Sequence, residues 1–107
     1  MKVMITLPIE ERDKQEIEDT YIEGCEKLEA QGHQIIYDYA IESDVHKDLE
    51  DCYEIVFKQP KLRPLVDSLD SMSMSEAVYF CKDWKKSRHC RIVHEVAVQY
   101  GIERIYE

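Results

Sequence analysis

At 107 residues the chain has room for one hydrophobic core but not for two, so 1–107 reads as a single domain. An apolar share of 44% suits a globular protein, a charged share of 35% implies a heavily solvated surface, and no stretch approaches the ~20 apolar residues of a membrane span. A formal charge of -9 opposes a nucleic-acid backbone, so neither a nucleic-acid polymer nor a membrane is an expected partner, whereas a small anion held by a few arginines stays open.

Lys2 to Thr6 reads as a short buried strand, ended by Leu7-Pro8-Ile9 because Pro8 has no amide to donate and pushes Leu7 away from helical geometry. Met1 to Thr6 lacks the long apolar run and small-residue cleavage site of a secretory signal, which makes the cytoplasm the expected compartment. Asp13 can cap a helix whose apolar positions Ile17, Tyr21, Cys25 and Leu28 form one stripe and which stops near Gly32. The acidic run Glu10, Glu11, Asp13, Glu16 and Glu18 reads as a solvated face of that helix, favourable at its positive end. Gln34 to Tyr39 is the second expected strand, and a β-α-β start favours a parallel sheet. Within it Tyr37 and Tyr39 alternate with Ile36 and Asp38, which puts the tyrosines on one face.

Helical spacing returns at Leu49, Cys52, Tyr53, Val56 and Phe57, is punctuated by Pro60 and Pro64, and resumes as the stripe Leu62, Leu65, Val66, Leu69 and Met72. Glu76 to Cys81 reads as a buried third strand. The loop Lys82 to Lys86 leads into a helix from about Ser87 that carries Cys90, Val93, Ala97 and Tyr100 on one stripe, ends at Gly101, and hands over to a last strand, Ile102 to Tyr106. The expected fold is α/β: a flavodoxin or Rossmann-like three-layer arrangement, with a mostly parallel sheet of about four or five strands and helices on both faces. Ligands of such sheets sit beyond the carboxyl ends of the strands, which singles out Leu7 to Arg12 and Lys82 to Arg88.

Cys25, Cys52, Cys81 and Cys90 form no close CxxC pair and each lies in an apolar periodic segment, as expected of buried reduced thiols. Arg88 and Arg91 stand in the first turn of the last helix, where the helix dipole favours acids. A bound anion would relieve that mismatch, so both are candidates for phosphate contact, the alternative being solvent-exposed or carboxylate-paired arginines; Arg12 is a weaker candidate. Trp84, the single tryptophan, suits stacking on a base or ribose, or equally a lid over the core edge with its N–H left wet. Cys90 and His94, four apart, with His89 nearby, supply too few ligands for a closed site, so no metal and no other cofactor is expected. His94 and Glu95 suit either an acid-base pair or surface hydrogen bonds.

Ser75-Glu76-Ala77-Val78-Tyr79-Phe80-Cys81, Trp84, Ser87-Arg88-His89-Cys90-Arg91-Ile92, His94-Glu95-Val96-Ala97 and Tyr100-Gly101 together resemble a bacterial and phage group within the nucleoside 2-deoxyribosyltransferase-like superfamily. Lys2-Val3-Met4-Ile5 with Pro8, and the helix, Gly-His turn and strand from Asp13 to Tyr39, agree with it, while Ile41 to Lys61 carries little of it. The resemblance implies a flavodoxin-like fold, a homo-oligomer, and a pocket for a nucleoside or nucleotide. Here that pocket would draw on Leu7, Pro8, Ile9, Arg12, Asp83, Trp84, Ser87, Arg88, His89 and Arg91. In the enzymes of the superfamily, a Glu near the start of the last main helix attacks the sugar C1 carbon and displaces the base, since a carboxylate can trap an oxocarbenium-like centre. Anchored on Ala97 and Gly101, that Glu falls at Val93. Glu95, two residues on, is turned through about 200° and lies on another face. The family's Gly before the Cys is His89 here, and its first-loop Gly is Glu11.

The expected function is therefore non-catalytic binding of a nucleotide-type ligand between Leu7 to Arg12 and Asp83 to Arg91. If the chain is phage-encoded, sequestration of a host signalling nucleotide is one use for such binding. The enzyme alternative is a nucleoside or nucleotide N-glycosidase or 2-deoxyribosyltransferase that uses Glu95 or a carboxylate from another segment; the third is a structural or protein-interaction domain.

Overall fold

Four consecutive buried side chains, Val3, Met4, Ile5 and Thr6, make β1 (Lys2–Thr6) a strand covered on both faces. The computed structural model describes residues 1–10, 12–38 and 58–107. After β1 come α1 (Lys14–Ala30), β2 (Gln34–Ile36), α2 (Arg63–Ser73), β3 (Ala77–Phe80), α3 (Arg88–Gln99) and β4 (Glu103–Tyr106). Short 3-10 turns, Pro60–Leu62 and Trp84–Lys86, precede α2 and α3.

The sheet order is β2-β1-β3-β4 and every neighbouring pair is parallel, with Val3 opposite both Ile35 and Ala77, and Ala77 opposite Glu103. This is the flavodoxin-like order of a doubly wound sheet, and its direction of winding reverses between β1 and β3. The period of two along the strands then sorts the core. Val3, Ile5, Ala77 and Tyr79 meet Ile17 and Leu28 of α1, whereas Met4, Val78 and Phe80 meet Met72 of α2 and Val93 and Ala97 of α3. Among the described residues one helix therefore covers one face and two cover the other, which gives three layers. No helix among the described residues is long and apolar enough to cross a membrane.

Several expectations shift. β2 ends at Ile36, short of the expected Tyr39, which with the expected helical stripe Leu49 to Phe57 and Cys52 lies outside the described residues. Leu62 and Val66 are 54% and 43% exposed, because α2 turns Ser68, Ser71 and Met72 toward the sheet and keeps only Leu65 and Leu69 at the margin of the core. Tyr100 is 79% exposed: it caps α3 just before Gly101 (φ 68°) swings the chain toward β4, so its ring stands off the sheet. Cys81 and Cys90 are buried free thiols and Cys25 is half-buried.

Candidate functional site

Two loops meet at the point where the sheet reverses its winding. After β1, Leu7 and Pro8 are buried and the chain emerges at Glu10 before Asp13 caps α1, its carboxylate accepting the Glu16 N–H at 2.8 Å. After β3, Asp83 takes a left-handed backbone conformation (φ 68°), tolerated by Asp better than by most residues, and turns the chain into Trp84–Lys86. Ser87 then caps α3, its hydroxyl oxygen accepting the Cys90 N–H at 3.2 Å. Between the loops lies a cleft of about 350 Å³ lined by Pro8, Glu10, Arg12, Asp83, Lys86, Ser87, Arg88 and Arg91.

Four cationic side chains line this cleft against two carboxylates, in a chain whose net charge is -9. Asp83 pairs with Arg12 at 3.8 Å and with Lys86 at 3.6 Å. Arg88 and Arg91 enter no ion pair among the described residues, and Arg91 makes only a long bond from Nε to the Ser87 carbonyl, at 3.4 Å.

Glu10 is not part of a solvated helix face. It precedes α1 and reaches across to α3, where one carboxylate oxygen accepts the Ser87 hydroxyl at 2.5 Å and the other accepts the His89 main-chain N–H at 3.0 Å. Partial burial pushes this carboxyl up, but the bonds from Ser87 and His89 outweigh that and hold it below the usual range. The chain thus supplies its own anion at a helix start that carries two arginines. The available signal was its position in the ligand-facing loop, ahead of the Asp13 cap.

Behind the cleft, His89 is tied inward. Its Nε2 is 2.8 Å from the Ser68 hydroxyl, which is 2.9 Å and 3.0 Å from the two carboxylate oxygens of Asp38. Asp38 and Ser68 are 2% and 0% exposed. With Asp38 ionised its carboxylate only accepts, so the single Ser68 proton points to it and the imidazole donates from Nε2. Burial pushes the His89 ring below its ordinary pKa, with the charge of Glu10 acting the other way. Sequence reasoning missed Asp38 and Ser68; the one signal was two serines, Ser68 and Ser71, on the same side of α2 as Met72.

The other expected site residues fall elsewhere. Leu7 lies in the core on the α1 side and Ile9 packs against that core. The Trp84 ring stacks on His94, centroids 4.3 Å apart and 25° between planes, and leans on Phe80 at 5.1 Å, outside the residues that line the cleft. His89 contributes its main chain, through Glu10, rather than its ring. Cys90 is buried with Sγ 3.7 Å from the Thr6 hydroxyl, while His94 Nε2 is 2.6 Å from the Tyr106 hydroxyl, so the two do not converge on one ion. Among the described residues no three His, Cys, Asp or Glu side chains form a group that could hold a metal.

Val93, where the resemblance expects the attacking Glu, is fully buried against Met4, Val78 and Phe80, so position 93 faces the sheet. Glu95 is exposed, accepts from Gln99 at 2.9 Å and stands on the outward face of α3. The cleft's own carboxylates are Glu10 and Asp83.

Fold and site together define an all-parallel three-layer α/β domain with a basic cleft at its topological switch point. Comparisons with protein-family models, with curated proteins and with solved structures found no match.

Proposed function

We propose that this chain, as a relative of the nucleoside 2-deoxyribosyltransferase-like proteins, binds a nucleotide-type ligand in the cleft without covalent chemistry. The observation that carries the reading is the pair Arg88 and Arg91: two guanidinium groups without a carboxylate partner among the described residues, on the wall of a predominantly cationic cleft in an acidic protein. The planar fork of an arginine matches two phosphate oxygens at once, and such charge-assisted pairs are the strong ones. A volume of about 350 Å³ is that of a small-ligand site. Binding without turnover agrees with Val93 at the position of the expected nucleophile, and it suits storage or sequestration of a signalling nucleotide.

Calorimetry against nucleoside mono- and diphosphates, ADP-ribose isomers and cyclic dinucleotides tests this. Binding that weakens with salt, and by tenfold or more in Arg88→Ala and Arg91→Ala, is the expected result, since a hydrogen bond to a charged group is worth ~1.5–3 kcal/mol. No binding across the panel overturns the reading. One observation favours an enzyme instead: Glu10 places a carboxylate in the cleft. Release of free base from nucleotides, abolished by Glu10→Gln, would identify an N-glycosidase or transferase working through Glu10 rather than Glu95.

A further inference from the structure

The basic cleft shares two lining residues with a second recess. On the outward face of α3 lies a depression of about 270 Å³ lined by Arg88, Arg91, Ile92, Glu95 and Val96, so Arg88 and Arg91 border both spaces. The two differ in character. The cleft presents charged groups from two loops, whereas the floor of the recess is the pair Ile92 and Val96, one helical turn apart. Ile92 is 39% exposed, and single exposed aliphatics are ordinary on a surface. An aliphatic strip that adjoins two guanidinium groups with no ion pair among the described residues is a more specific arrangement.

We propose that the ligand straddles the first two turns of α3, with its phosphate on the cleft side of Arg88 and Arg91 and a flat heteroaromatic ring over Ile92 and Val96. This rests on the reading of the cleft as a nucleotide site and deepens it by placing the base: over the outward face of α3 rather than between the two loops or on Trp84. Three observations support the assignment. An arginine can bind phosphate through its edge while its face lies against a ring, so the two shared arginines suit the junction of both parts. From position 88 to position 96 the helix rises roughly 12 Å, the length scale of a nucleotide from phosphate to base. The Trp84 ring, the other candidate for stacking, is stacked on His94 and does not line the cleft.

The test compares inorganic pyrophosphate, ribose 5-phosphate, AMP and GMP by calorimetry on the full chain and on Ile92→Ser. Nucleoside monophosphates should bind at least tenfold more tightly than ribose 5-phosphate. Ile92→Ser should erase that advantage and leave pyrophosphate and ribose 5-phosphate unchanged. In the unsubstituted chain, AMP or GMP should shift the Ile92 methyl resonances by ring current, while ribose 5-phosphate should not; this readout stands even if the variant does not fold. Unmoved Ile92 methyls at saturation with AMP or GMP overturn this inference and leave the cleft reading intact, whereas phosphate binding without preference for a base overturns both. Failure of every phosphate to bind overturns both.

Discussion

Two polar networks meet at His89, one open and one sealed. On the cleft side, the His89 main-chain N–H and the Ser87 hydroxyl hold the carboxylate of Glu10, an exposed residue. On the inner side, the His89 ring is bonded to Ser68 and through it to Asp38, both buried. The groups are alike but the consequences differ. Where water can replace a lost partner, a hydrogen bond is worth only ~1 kcal/mol; where it cannot, the group left behind costs its desolvation as well, ~1–3 kcal/mol. The inner network therefore fixes the first turn of α3 against α2 and the segment that follows β2, while the outer one is an exchangeable contact. A ligand site made in this way has a rigid frame and an internal anion that can leave.

The largest effect should come from placing a carboxylate in the apolar core beside the sealed network. Val93→Glu would bury an unpaired acid among Met4, Val78 and Phe80, at a cost of ~3 kcal/mol or more, and should create no glycosidase activity. Urea unfolding checks the first part and chromatography for free base the second. An unchanged unfolding midpoint would show that position 93 can reach solvent or the cleft.

Next in size is Ser68→Ala, which removes one donor from Asp38 and the acceptor from His89 Nε2–H, for an expected loss of ~2–3 kcal/mol in the same unfolding measurement. The sealed network should also show in the pH dependence of stability. The folded pKa of His89 lies below its ordinary 6.5, so near that pH the unfolded chain binds more protons than the folded one. Its contribution is complete above about 6.5 and is lost as pH falls below that value and through the lowered folded one. Histidine titration followed by NMR should place the His89 ring below the ordinary value, and a value at or above it would contradict the burial of the inner network.

What was legible in the sequence follows the same division between local and distant causes. β1 and β3 announce themselves as short apolar runs, Asp13 as a cap and Ser87 as the approximate start of the last helix, because each depends on residues within four positions. The cleft follows from strand order, and Arg88 and Arg91 stood out as cations at the wrong end of a helix. Glu10 was misread because its partners are 77 and 79 residues away, and no periodicity reports that separation. Ser68 looks like a surface residue until Asp38 and His89, 30 and 21 residues distant, supply its bonds, and that is also why the stripe expected at Leu62 and Val66 is turned outward. Trp84 was ambiguous for the same reason, its stacking partner being ten positions along on α3.

Glu10→Gln sharpens the comparison from the open side. Stability should fall by only about 1 kcal/mol, because the carboxylate is largely solvated and its bonds can be replaced by water. The loss should vanish in acid. The folded pKa of Glu10 lies below its ordinary 4.5, so its contribution is present above that pH and disappears as pH falls through the lower folded value. Affinity for pyrophosphate should rise roughly fivefold, the equivalent of ~1 kcal/mol, since one negative charge leaves the cleft. A fall in affinity would mean that Glu10 assists the ligand instead of standing in for it.

The smallest effect lies at the β4 edge, away from both networks, and tests whether Trp84 is committed to its stack. His94 lies 4.3 Å from the Trp84 ring, centroid to centroid, and is bonded to Tyr106. Packing against these rings, with some help from the charge of Arg104, pushes the imidazole below its ordinary 6.5. An imidazolium in contact with indole quenches its emission, and Trp84 is the single tryptophan, so its fluorescence should report one titration. Emission should drop as pH falls through a midpoint below 6.5, and His94→Gln should abolish the drop without moving the unfolding midpoint appreciably. A nucleotide bound across Arg88 and Ile92 should leave that titration in place, whereas a base stacked on Trp84 would displace His94 and abolish it. The same cuvette therefore separates the two ends of the loop before α3: retention of the titration at ligand saturation confines the base to the outward face of the helix, and its loss would return Trp84 to the site.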